Sequence, residues 1–201
     1  MSVRARRGAA ALFFRGRSPL VLASGSPRRV TLLQQAGATF TVADPGPDRE
    51  WPGAAAPRHG VRALALDKAR RVARARPGSV VVGADTVVVV RGERLGKPRD
   101  EAEALGMLRR LHGRRHEVWT GLAVVRGQEQ RSGAECAVVH VVRLDEEALR
   151  AYVATGEPLD KAGAYGIQGL GGQFVRRIEG DYTTVVGLPL ARLRSMLAEF
   201  E

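Results

Sequence analysis

Seven of the eleven residues from Val80 to Val90 are valine, and only Gly83-Ala84-Asp85-Thr86 interrupts the run. A stretch this apolar, without alternation, reads as a strand buried on both faces. Such a strand needs helices above and below its sheet. The flanking sequence supplies them. Leu20–Ala23 is a short apolar strand, Ser26 and Pro27 open a helix that Gly37 ends, and Thr39–Ala43 is a second strand. A loop rich in Pro and Gly, Asp44–Arg58, leads to a helix over Gly60–Arg76 with Val61, Leu64, Ala65, Ala69 and Val72 on one face. Downstream, Arg91-Gly92-Glu93 is a turn, and Asp100 with Glu103 forms a capping box for a helix that ends before Gly113. Glu117–Val125 and Glu135–Leu144 read as paired strands, and Asp145 caps a helix to Thr155. The glycine-rich loop Asp160–Gly172 precedes strands at Phe174–Ile178 and Tyr182–Val186, and Pro189–Phe200 is a closing helix. Hairpins together with βα units give an α/β class: a mixed twisted sheet with flanking helices, in two lobes around a central cleft.

Charge narrows the partners. The 201 residues carry a formal net charge of +11, which favours an anionic ligand. Twenty-nine of the 32 basic residues are arginine, so the three lysines, Lys68, Lys97 and Lys161, mark places where a compact ammonium suits better than a planar fork. One cysteine, Cys136, excludes an internal disulfide and any cysteine-cluster metal site, and its apolar surroundings make it a small core residue. His59, His112, His116 and His140 show no ligand spacing and read as structural or surface groups. No run approaches a membrane span. Residues 1–18 are basic and read as a disordered extension, with an organellar transit peptide as the alternative, ahead of a domain over 19–201.

Several segments can carry chemistry. In Ala23-Ser24-Gly25-Ser26-Pro27-Arg28-Arg29 a strand enters a Ser/Gly loop and then a helix N-terminus, an arrangement that favours an anion. Arg28 and Arg29 oppose the helix dipole there, which makes sense if a phosphate arrives. Asp85 is a carboxylate inside an apolar strand and is costly to bury unless paired, so it is the foremost candidate for catalytic base or metal ligand. Lys97 lies in the rigid Gly96-Lys97-Pro98 loop. Asp67 and Lys68 read, by themselves, as solvated helix positions. Around Lys161, the glycines Gly163, Gly166, Gly169 and Gly171 let backbone approach a ligand, and Gln168 offers the donor and acceptor that a nucleobase edge requires.

Taken together, LASGSPRR (22–29), GADTVV (83–88), GKP (96–98), EPLDKAGAYGIQG (157–169) and GDYTTVVGLPL (180–190) resemble the Maf family of nucleoside triphosphate pyrophosphatases from about Pro19 to the C-terminus. The resemblance implies a fold akin to that of inosine-triphosphate pyrophosphatase and metal-dependent hydrolysis of a nucleoside triphosphate to monophosphate and pyrophosphate. Arg28, Thr86 and Gln168 match the branch that acts on dTTP and UTP, which extends the expectation to modified pyrimidine nucleotides. The acidic stretch thought to help bind metal departs from the family pattern: Pro45-Gly46-Pro47-Asp48-Arg49-Glu50 keeps Asp48, and Glu50 is shifted by one.

The mechanism implied has Asp85 as proton acceptor for a water that attacks the α-phosphorus. Asp85, Asp48 and Glu50 hold Mg²⁺ or Mn²⁺, and Ser24, Ser26, Arg29, Lys68, Lys97 and Lys161 neutralise the triphosphate. Arg28, Thr86 and Gln168 read the base. The expected setting is the cytoplasm, with a nucleotide as partner, no stable nucleic-acid partner, no membrane, and a homodimer among the assemblies open to it. The role is house-cleaning or nucleotide-pool control, with a link to division arrest suggested by the family. The rival reading is a non-enzymatic nucleic-acid-binding or regulatory protein. Only 5% aromatic residues and basic residues spread along the chain speak against it.

Overall fold

Parallel pairing around a short apolar strand organises the N-terminal half of the chain. The computed structural model describes residues 2–3 and 13–201. Its elements are β1 (Ser2–Val3), β2 (Leu20–Ala23), α1 (Pro27–Gln35), β3 (Phe40–Ala43), α2 (Pro57–Ala75), β4 (Val80–Val90), β5 (Glu93–Leu95), α3 (Glu101–Leu111), β6 (Arg115–Arg126), β7 (Glu129–Val141), α4 (Glu146–Ala154), β8 (Val175–Glu179), α5 (Tyr182–Val186) and α6 (Leu190–Leu197). Four 3₁₀ turns fill Glu157–Asp160, Ala162–Ala164, Leu170–Phe174 and Ala198–Phe200. Strand order is β1-β3-β2-β4-β6-β7-β8, with β5 on β4. The α/β class with a mixed sheet and flanking helices is as expected. The extension 1–18 falls largely outside the described residues; of it, Ser2–Val3 pairs with Phe40–Thr41 and Phe13 is buried.

The chain divides into two compact units. The first comprises Met1–Asp85, Thr120–Glu135 and Gly187–Glu201. In it β2 pairs in parallel with β3 on one side and with Val80–Gly83 of β4 on the other. Its core gathers Val21, Ala23, Ala65, Ala69, Val72, Val81, Ala123 and Val125. The second comprises Thr86–Trp119 and Cys136–Val186. There β5 pairs antiparallel with Val88–Val90 of β4, and β8 pairs antiparallel with the end of β7. Its core is separate, built on Val88, Leu108, Leu111, Tyr152, Tyr165 and Phe174 among others.

Four local readings differ from expectation. Tyr182–Val186 is a short helix, not a strand. Asp181 explains this: its carboxylate accepts the Thr183 and Thr184 N–H groups and both threonine hydroxyls, closing a helical turn against the β preference of Thr and Val. Ser26 sits at the N-cap of α1, with Pro27 in the first turn, but its side chain makes no capping bond. The capping box of α3 is half formed. Glu103 N–H donates to Asp100 Oδ1 at 2.8 Å, while the Glu103 carboxylate accepts from the Arg99 N–H. Cys136 is half-buried rather than a core residue.

Candidate active site

In the first unit β3 and β4 lie on opposite sides of β2, so the chain steps from β2 to β3 and then crosses back past β2 to β4. Ligands of α/β sheets bind outside the carboxyl ends of strands at such a switch point. Ser24 follows β2 directly, the Asp48 loop follows β3, and Asp85 lies two residues beyond the Gly83 that pairs with Ala23.

Close packing brings α2 to this place. A Cβ on Gly83 would sit 2.3 Å from Ala65 O and 2.9 Å from Ala69 N. Gly83 thus faces α2, and Asp85, two residues on, shares that face. One helical turn from Ala65, Lys68 reaches it: Nζ lies 2.6 Å from Asp85 Oδ1 and 2.6 Å from Asp48 Oδ1. Lys68 is buried and its carboxylate partners differ, with the Asp85 side chain 15% exposed and that of Asp48 60%. The solvated helix lysine expected from its neighbourhood is therefore the centre of a charge cluster. The loop that delivers Asp48 is tied to the same helix. Pro47 O accepts from Arg71 Nη1 at 3.0 Å, Arg49 pairs with Asp67 at 3.3 Å, and Trp51 packs over Gly60. Asp67 and Arg71 also form an i,i+4 ion pair at 2.9 Å. Sequence reasoning missed Asp67 and Arg71 as loop anchors; their i,i+4 spacing on α2 was the available signal.

Ser24 is 3% exposed, and its hydroxyl oxygen accepts from Ser26 N–H at 3.2 Å and from Arg29 Nη1 at 3.3 Å. Its own proton is left to donate. Arg29 Nε is anchored on Gly187 O at 2.8 Å. Burial pulls the Arg29 guanidinium below its ordinary value; the Asp85 charge opposes this, Arg28 adds to it and Asp48 opposes it. Ser24, Arg29, Asp48, Lys68 and Asp85 are thus joined by direct bonds and charge, with Ser26 bonded to Ser24 through its backbone. Arg28 is half-buried and Glu50 is exposed, the ion pairs of Lys68 going to Asp48 and Asp85.

A metal would meet two carboxylates aimed at one cationic point, now held by Lys68. Two hard oxygen donors plus substrate phosphates suit Mg²⁺ or Mn²⁺. Among the described residues no cluster of three or more His, Cys, Asp or Glu side chains is arranged for an ion.

The remaining candidates belong to the second unit. Thr86 is half-buried on the face of β4 that carries Val88, and the Val88 side chain is 2.9 Å from where a Gly163 Cβ would stand. Gly163 N–H donates to Gly96 O at 3.0 Å, which makes the Lys97 and Lys161 loops neighbours. Lys97 is exposed. Lys161 Nζ donates to Glu157 O and Asp160 Oδ1, both at 2.6 Å. Gln168 is exposed on the turn after Gly166. The glycines here pack first against the protein itself: Cβ atoms on Gly166, Gly169 and Gly171 would collide with Lys161, Glu157 and Tyr152 respectively. No helix among the described residues is long and apolar enough to cross a membrane.

Residues 19–200 match the model of the Maf family, Maf-like protein. A dTTP/UTP pyrophosphatase of Symbiobacterium thermophilum is 54% identical over 181 residues, covering 90% of this chain and 93% of its own. Another, of Pelotomaculum thermopropionicum, is 50% identical over 183 residues, covering 90% and 96%. Among solved structures, the Ham1 protein of Staphylococcus aureus aligns over 61% of this chain and 71% of its own, with a TM-score of 0.42 and 16% identity.

Proposed function

The chain belongs to the Maf family, and on that basis we propose that it hydrolyses dTTP and UTP to the monophosphate and pyrophosphate. The observation that carries the reading is the Asp48–Lys68–Asp85 cluster beside Ser24 and Arg29, in a chain half identical to dTTP/UTP pyrophosphatases. Asp85 takes the proton of the attacking water, since its carboxylate is oriented by Lys68 and only partly shielded from solvent. Ser24, Ser26, Arg29 and Lys68 stabilise charge that moves onto the leaving pyrophosphate, with Lys97 and Lys161 supporting the same charge. Asp85 and Asp48, with Glu50 nearby in sequence, would hold a divalent cation, Mg²⁺ or Mn²⁺, which supplies charge neutralisation and a more acidic water. Arg28, Thr86 and Gln168 select the base, and modified pyrimidine nucleotides fall within the same reading. The reading includes a cytoplasmic setting and nucleotide rather than nucleic acid or membrane as partner, with a homodimer among the assemblies open to it.

The test is product analysis. With Mg²⁺ or Mn²⁺, dTTP and UTP should give monophosphate and pyrophosphate, whereas orthophosphate and diphosphate would mean γ-phosphate cleavage and end the reading. Asp85→Asn should lower kcat by about 10²–10⁴-fold, the range for loss of a positioned general base; an unchanged rate removes Asp85 from that role.

A further inference from the structure

The segment that presents Gln168 is organised from inside by one carboxylate. Glu157 Oε1 accepts the Tyr152 hydroxyl at 2.8 Å and the Gly171 N–H at 3.1 Å, and Oε2 accepts the Leu170 N–H at 2.9 Å. Tyr152 Oη in turn accepts the Gly166 N–H at 3.1 Å. Backbone on both sides of Gln168 therefore hangs on the Glu157–Tyr152 pair. Tyr152 is 3% exposed and meets the Phe174 ring edge-on at 4.8 Å, so the core fixes the hydroxyl to which the loop is tied. The glycines are shaped to the same carboxylate. A Cβ on Gly169 would stand 2.4 Å from Glu157 Oε2, and one on Gly171 2.6 Å from Tyr152 Oη. Desolvation pushes the Glu157 carboxyl up, but the Leu170 and Gly171 amides, the Tyr152 hydroxyl and the Lys161 charge together hold it below the usual carboxylate range. It is an ionised acceptor at neutral pH, matched to three donors.

We propose that Glu157 is a positioning residue for nucleobase selection, acting through Gln168. A carboxamide carries a donor and an acceptor side by side, and uracil and cytosine differ by the exchange of those roles at the base edge. A carboxamide on a wandering turn meets either pattern, while one on a fixed turn favours one of them. Glu157 fixes the turn. The inference rests on the pyrimidine-nucleotide reading above and names the device that sets its specificity.

The test uses the full chain and compares wild type, Glu157→Gln, Gln168→Ala and the double variant on UTP, dTTP and CTP. Glu157→Gln keeps the shape but turns one acceptor into a donor facing a donor. The UTP-to-CTP ratio of kcat/KM should fall about tenfold, mostly through KM for UTP, and the double variant should show the ratio of Gln168→Ala alone, because residues acting as a unit are not additive. Amide exchange of residues 166–171 in the free protein should quicken in Glu157→Gln while α4 keeps its protection. An equal loss on all three nucleotides, additive ratios, or unchanged exchange in the loop would overturn the proposal. If Glu157→Gln fails to fold, Tyr152→Phe releases only the hydroxyl and should lower the same ratio by a smaller factor. If wild type turns over neither dTTP nor UTP, the functional reading fails by itself. Affinities for UTP and CTP, measured calorimetrically on the same variants, then decide the positioning role.

Discussion

His116 is 2% exposed, with Nε2 2.8 Å from Tyr165 Oη and the Tyr165 ring edge-on at 5.4 Å. Its Nδ1 finds no partner among the described residues. Burial pushes the ring down to about 4, with the His140 charge adding to it. Unfolding releases a histidine that binds a proton near pH 6.5, so below that pH the unfolded state holds more protons than the folded one. Stability therefore falls as pH drops from 6.5 toward 4 and levels off below that. Between pH 6.5 and 5.5, above the range where the unfolded-state glutamates begin to bind protons, the loss should be about 1 kcal/mol. Urea midpoints at several pH values should show this slope in wild type and its disappearance in His116→Gln; the same slope in both would mean another group titrates. The histidine's burial was hard to foresee, because Gly113 breaks the local period and the covering Tyr165 lies 49 residues away. The Asp85 side was easier: a lone carboxylate in a valine run announces a partner. Which partner was not announced, since Lys68 follows Asp67 on a helix whose alternating charges look solvated.

Helix α2 rests on two glycines of neighbouring strands, and this contact sets where Lys68 can be. A Cβ on Gly121 of β6 would lie 2.2 Å from Val61 O, as one on Gly83 would lie 2.3 Å from Ala65 O. Both obstacles are backbone, so the adjoining turn of α2 must shift to admit a methyl group. Gly83→Ala and Gly121→Ala should each cost about 1–3 kcal/mol by over-packing, a fall in Tm of about 2–4 °C per kcal/mol for a chain of this size. They should differ in catalysis. Gly83 lies beneath the turn that carries Lys68, whereas Gly121 lies under Val61, seven residues earlier. Gly83→Ala should lower kcat well beyond its effect on Tm, and Gly121→Ala should change it little. Equal kcat losses at equal Tm would mean that α2 shifts as one body and carries Lys68 away from Asp85 in either variant. Element positions were largely legible: Leu20–Ala23 and Val80–Val90 occupy the expected residues because apolar runs between turn signals leave few alternatives. Tyr182–Val186 misled because one capping carboxylate outweighed five residues of β preference. The Gly166–Gly171 glycines were legible as a special loop, but not as one folded around its own glutamate.

At the scale of the whole molecule, each unit has its own core, and the three rare lysines are shared between them: Lys68 in the first, Lys97 and Lys161 in the second. The arginines supply the background, a net +11. Such a field acts at a distance on a triphosphate and is screened over a Debye length of about 10 Å at 0.1 M salt and about 3 Å at 1 M. The Asp48–Lys68–Asp85 contacts, at 2.6 Å, lie inside either length. The two contributions should therefore separate in kinetics. Raising monovalent salt from about 50 to 500 mM should lower kcat/KM for UTP several-fold by raising KM, since encounter with a polyanion weakens. The chemical step should hold, with kcat changing by less than about twofold. Duplex or single-stranded DNA added at low salt should compete weakly and lose its effect at the same salt, as non-specific binding through arginine requires. A kcat that falls in parallel with KM would place screened charges in the chemical step itself. Tight, saturable DNA binding without nucleotide turnover would instead restore the rival reading that the charge first suggested.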